Sequence, residues 1–153
     1  MGREPVPGAD ALTVGPSATL RQDATLPGVG ARCVDGDSAQ ALQAFVSALR
    51  AEVPLSAVIL FGSRARGDHL LTSDVDVLVI SAAFAQWPHL RRLEWLFARW
   101  ARVSRLGADV VGLTPGEFAD RAGELSVVGE IAREGVVVYR DPAWRRPELG
   151  GAQ

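Results

Sequence analysis

The chain is poor in several things that would otherwise widen its range of functions. It has one cysteine in 153 residues, which excludes a disulfide framework and a cysteine-built metal site; Cys33 reads as a free thiol near the domain's edge. Its net charge is −2 and its pI about 5.7, so it lacks the basic footprint of a nucleic-acid binder, and direct nucleic-acid contact is not expected. No apolar run approaches the ~20 residues of a membrane span, and Met1-Gly2-Arg3-Glu4-Pro5 has no apolar leader core. A soluble cytoplasmic protein without a membrane partner is expected. Histidine is scarce too: His69 and His89 are not paired in sequence with any nucleophile and read as ordinary surface or half-buried residues.

Apolar residues make up 48% of the chain, enough for a core, and the length predicts one domain. Residues 1–36, with four prolines and six glycines, read as a disordered extension. The domain is expected over 37–140, with a loose tail over 141–153. Asp37, with Gln40 three residues on, predicts a helix start; Leu42, Phe45, Val46 and Leu49 form its apolar stripe, and Pro54 closes it. Strands are predicted at 57–61, 75–80, 109–113 and 136–139. A helix over about 87–106 carries Leu93, Leu96, Phe97, Trp100 and Val103 on one side. Arg91, Arg92, Arg99, Arg102 and Arg105 fall on the other, as a solvated basic face or as a phosphate- or partner-binding stripe. Thr114-Pro115-Gly116-Glu117 is a capping box with proline at the first helical position, and a helix over 124–133 ends at Gly135. The alternation predicts an α/β (α+β) domain, a small mixed β-sheet packed with helices.

The most informative stretch is 57–80. An apolar run, Ala57 to Phe61, ends in Gly62-Ser63; a polar loop follows; then Asp74-Val75-Asp76 leads a Val- and Ile-rich strand. A buried carboxylate is costly unless it is paired or bound to metal, so two in one core strand call for a cation. Residues i and i+2 of a strand share a face, about 6.6 Å apart at roughly 3.3 Å rise per residue. Two carboxylates so spaced can converge on one hard cation or share two, and all-oxygen ligands suit Mg²⁺ or Mn²⁺. Because Mg²⁺ usually takes one or two carboxylates together with substrate phosphates, a nucleoside triphosphate is implied. Gly62 lets backbone approach a phosphate, and the Ser63 hydroxyl can bind its oxygens. Arg64 and Arg66 follow at once, placed either to meet phosphate charge or simply to be solvated by the loop. Asp68 reads as a turn residue.

Gly62-Ser63, the ten-residue spacer and Asp74-Val75-Asp76 resemble the signature of the DNA-polymerase-β-like nucleotidyltransferase superfamily, in its minimal (MNT) branch. The resemblance covers roughly 45–139 and expects a third carboxylate on a later strand; Asp109, in Gly107-Ala108-Asp109-Val110-Val111, is the candidate. It implies that Asp74, Asp76 and Asp109 are the catalytic and metal-binding residues, holding two Mg²⁺ ions on ATP. Gly62 and Ser63 would then bind the β- and γ-phosphates, and Asp109 would assist removal of the acceptor's proton.

Stand-alone members of this branch resemble antitoxins whose partner is a helical HEPN-type ribonuclease toxin, silenced by transfer of AMP to a toxin tyrosine. With little chain beyond the catalytic core, a partner protein is expected to supply the acceptor hydroxyl. Two alternatives stand beside this one. The first is a small-molecule nucleotidyltransferase acting on an aminoglycoside-like hydroxyl; the second is a non-catalytic antitoxin that docks through the arginine-faced helix and the Trp144 tail.

Overall fold

The computed structural model describes residues 35–148. The first helix, α1 (Gly36–Arg50), is followed by β1 (Leu55–Phe61), a single-turn helix α2 (Ser63–Arg66) and β2 (Val75–Ser81). A 3₁₀ turn (Ala82–Gln86) leads into α3 (His89–Val103), then β3 (Ala108–Leu113), α4 (Pro115–Arg121), α5 (Val127–Glu134) and β4 (Val136–Arg140). The four strands form one sheet in the order β3-β2-β1-β4. Strand β1 runs antiparallel to both β2 and β4, while β2 and β3 are parallel. The expected mixed sheet and helical alternation are both present.

Helices cover both faces of this sheet, which is why β1 and β2 read as unbroken apolar runs rather than alternating ones. On one face Val58, Leu60, Val77, Val79 and Val110 pack against Leu42, Phe45 and Leu49 of α1 and Leu96 and Trp100 of α3. There the Phe45 and Trp100 rings meet edge to face with centroids 5.0 Å apart, an arrangement that adds to simple burial. On the other face Ala57, Ile59, Leu78, Ile80 and Leu113 meet Phe118 of α4 and Val128 and Ile131 of α5. No helix among the described residues is long and apolar enough to cross a membrane.

Several local expectations need correcting. Asp35, not Asp37, is the N-cap of α1: its carboxylate accepts from the Ser38 backbone N–H at 2.9 Å, and Asp37 lies in the first turn, where its charge suits the helix dipole. The expected extension over 1–36 falls, apart from Asp35 and Gly36, outside the described residues. On α3 the two faces are not divided as the period predicted. Arg92 is buried beside Leu96 and Trp100, whereas Phe97 is 41% exposed. Arg105 lies beyond the helix, and Arg99 pairs with Glu52 rather than joining an open basic stripe. Trp144 is buried, packing on Phe118, so that part of the tail is not loose.

Arg92 explains its own burial. Its guanidinium donates to the carbonyls of Phe84, Trp87 and Gly112 and makes a bidentate pair with Glu117 at 2.7 and 3.1 Å. Glu117 is also the third helical residue of the predicted capping box at Thr114, which is present. The Arg92 hydrogen bonds above all hold the Glu117 carboxyl down at about 2. A carboxyl depressed on folding stabilises the protein above its unfolded pKa, and that stability is lost as pH falls through the folded value. Glu117→Gln is therefore expected to cost about 1–2 kcal/mol at pH 7, a buried-pair loss discounted for the partial exposure of Glu117. The gap between variant and wild type should close as urea midpoints are measured from pH 4.5 down toward pH 2.

Candidate active site

The site is built where the C-terminal end of β1 meets the N-terminal ends of β2 and β3. Three pairings decide it. Phe61, the last residue of β1, lies opposite Asp76; Asp76 lies beside Asp109 in the parallel register; and the Val75 N–H donates to the Gly107 carbonyl at 2.9 Å, drawing Asp74 alongside Gly107. Strand alternation puts Asp76 on the face of Leu78 and Ile80, and Asp109 on the face of Val111 and Leu113, both toward the α4–α5 layer. Asp74 and Asp109 are exposed and Asp76 is partly buried.

Two glycines make the room. Gly62 has φ +76°, a conformation costly for any residue with a side chain, and a Cβ there would fall on Asp76 Oδ2. A Cβ on Gly107 would likewise fall on Asp74 Oδ1. Gly62 was legible from its motif. Gly107 was not, since only the parallel register of β2 and β3 brings it to Asp74.

Burial raises the Asp76 carboxyl above its ordinary value, the charges of Asp109 and Asp74 push it further, and Arg66 partly offsets them. The three carboxylates therefore share one electrostatic field, with Arg66 at its edge. Arg66 is exposed, 3.2 Å from Asp68. Its cation is strengthened first by that hydrogen bond and Asp68's charge, then by Glu130 and Glu134 of α5, two acidic neighbours the motif did not reveal. Gly62 and Ser63 open the loop, the Gly62 carbonyl accepting from the N–H groups of Ala65 and Arg66 and the Ser63 carbonyl from those of Gly67 and Asp68.

Arg64 is placed otherwise than expected. It is 3% exposed and reaches back toward the start of α1. Its Nε and guanidinium nitrogens donate to the Ser73 and Leu71 carbonyls, Ser38 Oγ and Asp35 Oδ1. The sequence gathers Asp74, Asp76, Asp109, Gly62, Ser63 and Arg66 into one place, and leaves Arg64 beneath it.

The sequence profile of the nucleotidyltransferase domain matches residues 42–135, well over half of the chain. The chain belongs to that family. No curated protein matches it. Among solved structures, a candidate nucleotidyltransferase from Sulfolobus solfataricus is 20% identical, covering 93% of this chain and 96% of its own, with a TM-score of 0.49. A toxin–antitoxin structure with AMP-PNP is 19% identical, covering 63% of this chain and 71% of its own, with a TM-score of 0.44. The family match, and not these faint likenesses, decides the assignment.

Whether this nucleotidyltransferase domain suits a divalent ion can be judged from its donors. Among the described residues no three acidic, histidine or cysteine side chains are gathered closely enough to cage a metal unaided. The donor chemistry nevertheless fits a hard cation: carboxylate oxygens of Asp76 and Asp74 lie in glycine cradles, with burial first and then the charges of Asp109 and Asp74 raising the Asp76 carboxyl. Mg²⁺ keeps waters and takes substrate phosphates as ligands, so protein carboxylates need supply only part of its shell.

Two outcomes follow. A carboxyl raised on folding lowers stability where it is ionised, and the loss is relieved as pH falls through the folded pKa. In metal-free protein, Asp76→Asn should therefore raise the melting temperature at pH 7 by about 3 °C, with the gain shrinking toward pH 3; a destabilised variant at pH 7 would contradict the crowding. Gly62→Ala should destabilise by about 1–3 kcal/mol, from the positive φ and the displaced Asp76, as read by chemical denaturation.

Proposed function

We propose that this nucleotidyltransferase moves AMP from ATP onto a hydroxyl of a protein partner, a tyrosine of a HEPN-type toxin, and so serves as the antitoxin of that pair. The observation that carries the catalytic part is the convergence of Asp74, Asp76 and Asp109 beside Gly62-Ser63. The motif's resemblance to the MNT branch carries the choice of partner.

In this reading the acceptor oxygen forms a bond to the α-phosphorus while the bond from that phosphorus to the β-bridging oxygen breaks. Pyrophosphate leaves with the electron pair. Asp109, exposed at the open end of the sheet, takes the hydroxyl proton. Asp74 and Asp76 would hold Mg²⁺ with Asp109 completing a second ion's ligands, and the bound ions would supply charge neutralisation along the triphosphate. Ser63 and the backbone of the Gly62 turn orient the β- and γ-phosphates, while Arg66 meets the charge that builds on the leaving group. Positioning and electrostatics together account for most of the rate in such transfers.

The test is incubation of the full chain with α-labelled ATP, Mg²⁺ and the helical product of the neighbouring gene. Label should appear on a tyrosine of that product, and Asp74→Ala/Asp76→Ala should reduce transfer at least 100-fold. Equal labelling by wild type and double variant would remove the catalytic reading. Labelling of an aminoglycoside but not of the protein would move the acceptor to a small molecule. Toxin neutralisation that survives the double substitution would leave only docking.

A further inference from the structure

We propose that Arg64 is a positioning residue that locks the phosphate-facing turn and Asp74 into one rigid unit, with Asp35 and Ser38 as its anchor. The role rests on the transfer reading above, but the observations behind it are independent of any ligand.

The loop from Gly62 to Asp74 must bring its two ends to the same site, and ordering a loop of this length costs conformational entropy. Its tip offers little apolar help, since Leu70 and Leu71 are 71% and 87% exposed. One side chain does the closing from within. Arg64 Nε donates to the Ser73 carbonyl at 3.0 Å, fixing the peptide plane that leads into Asp74, and a second nitrogen donates to the Leu71 carbonyl at 3.1 Å. The remaining nitrogen reaches out of the loop to Ser38 Oγ at 3.0 Å and Asp35 Oδ1 at 3.2 Å. Because Arg64 directly follows Ser63, this fork links the Gly62-Ser63 turn, the peptide before Asp74 and the start of α1.

Asp35 is itself prepared for the task. Burial pushes its carboxyl up, but the backbone and hydroxyl of Ser38 and the charges of Arg64 and His69 outweigh burial and hold it below the ordinary value. His69, from the same loop, places Nε2 3.4 Å from Asp35 Oδ2. Two loop side chains thus converge on one helix-capping carboxylate. Within the loop, Ser73 N–H donates to the Leu70 carbonyl and Leu70 N–H to Ser73 Oγ at 2.9 Å, two amides that report whether the clamp is closed.

A clamp and a phosphate ligand answer differently to substitution. Lysine can replace arginine as a point charge on phosphate, but a single ammonium cannot span four acceptors set in a planar fork. Removing the negative charge of Asp35 near an anion site would, by Coulomb's law alone, tighten nucleotide binding; through a clamp it would loosen it.

The experiment measures Mg²⁺–ATP binding by calorimetry and amide hydrogen exchange on the full chain, for wild type, Arg64→Lys, Asp35→Ala and Arg66→Ala. Arg64→Lys and Asp35→Ala should each weaken binding at least tenfold. Both should speed exchange at Leu70 and Ser73 at least tenfold, leaving Leu78 in the core of β2 unchanged. Arg66→Ala should weaken binding without altering exchange. Binding within twofold of wild type in Arg64→Lys, with Leu70 and Ser73 exchanging as before, would overturn the proposal. Should Arg64→Lys fail to fold, Asp35→Ala alone decides by the same two readouts. If wild type binds no nucleotide, the transfer reading falls, and exchange still decides whether the clamp exists.

Discussion

Pairing β2 in parallel with β3 sets Asp76 beside Asp109, two like charges on strands about 4.8 Å apart, with Asp74 drawn in by the next hydrogen bond of the ladder. A slip of one residue would turn every side chain of a strand to the opposite face. It would turn Asp76 toward the valines that meet α1 and α3, and Val75 and Val77 toward the layer of α4 and α5. Within β2 the one residue that tells the two faces apart is Asp76, whose partly exposed place at the strand's start is lost in such a slip. What the register cannot supply is space, and Gly62 and Gly107 supply it from the two neighbouring strand ends.

This arrangement is unfavourable in isolation, as the raised carboxyl of Asp76 records. Crowded charge of this kind persists only where the surroundings hold it. The surroundings here are two apolar layers and two buried arginines. Arg92 works at the C-terminal ends of β2 and β3, binding three carbonyls and Glu117; Arg64 works at the opposite end, binding two carbonyls, Ser38 and Asp35. Each guanidinium is matched to a carboxylate that also caps a helix: Glu117 in the box that starts α4, Asp35 at the start of α1. A buried cation survives only if paired and hydrogen-bonded, and a capping carboxylate offers a partner already fixed in place.

Much of this was legible in the residues, and the reasons for the rest are physical. The four strands and the capping box of α4 follow from runs of β-branched residues and from Thr114-Pro115-Gly116-Glu117, signals carried within a few positions. Asp109 was singled out because the resemblance calls for a third carboxylate on a later strand; its alignment with Asp76 comes from the parallel register of β2 and β3. The phase of α3 was misread because Arg92 looks like a solvent residue. Its burial depends on carbonyls of Phe84 and Gly112 and on Glu117, 25 residues away, and no periodicity reports a partner that distant. Asp35 escaped notice for a smaller reason: Asp37 and Gln40 offered an equally good capping pattern two residues later. Gly107 and the acidic α5 neighbours of Arg66 are products of tertiary register alone.

The two arginines of the loop show how local geometry divides roles that spacing leaves undivided. Arg64 and Arg66 are two positions apart on the short helix α2, and at 3.6 residues per turn that separation turns them about 200° from each other. Both cannot face a substrate. Once Arg64 is committed inward, buried and with its donors spent on the loop and α1, Arg66 is the one left exposed, with its charge acting on Asp76. Asp68, two residues further, then holds Arg66 at 3.2 Å, a surface pair that contributes little stability but keeps a long side chain near the place where leaving-group charge would appear. Moving the helix start by two positions would put Arg66 in the phase that Arg64 now holds, burying the outward cation and leaving the loop unclamped.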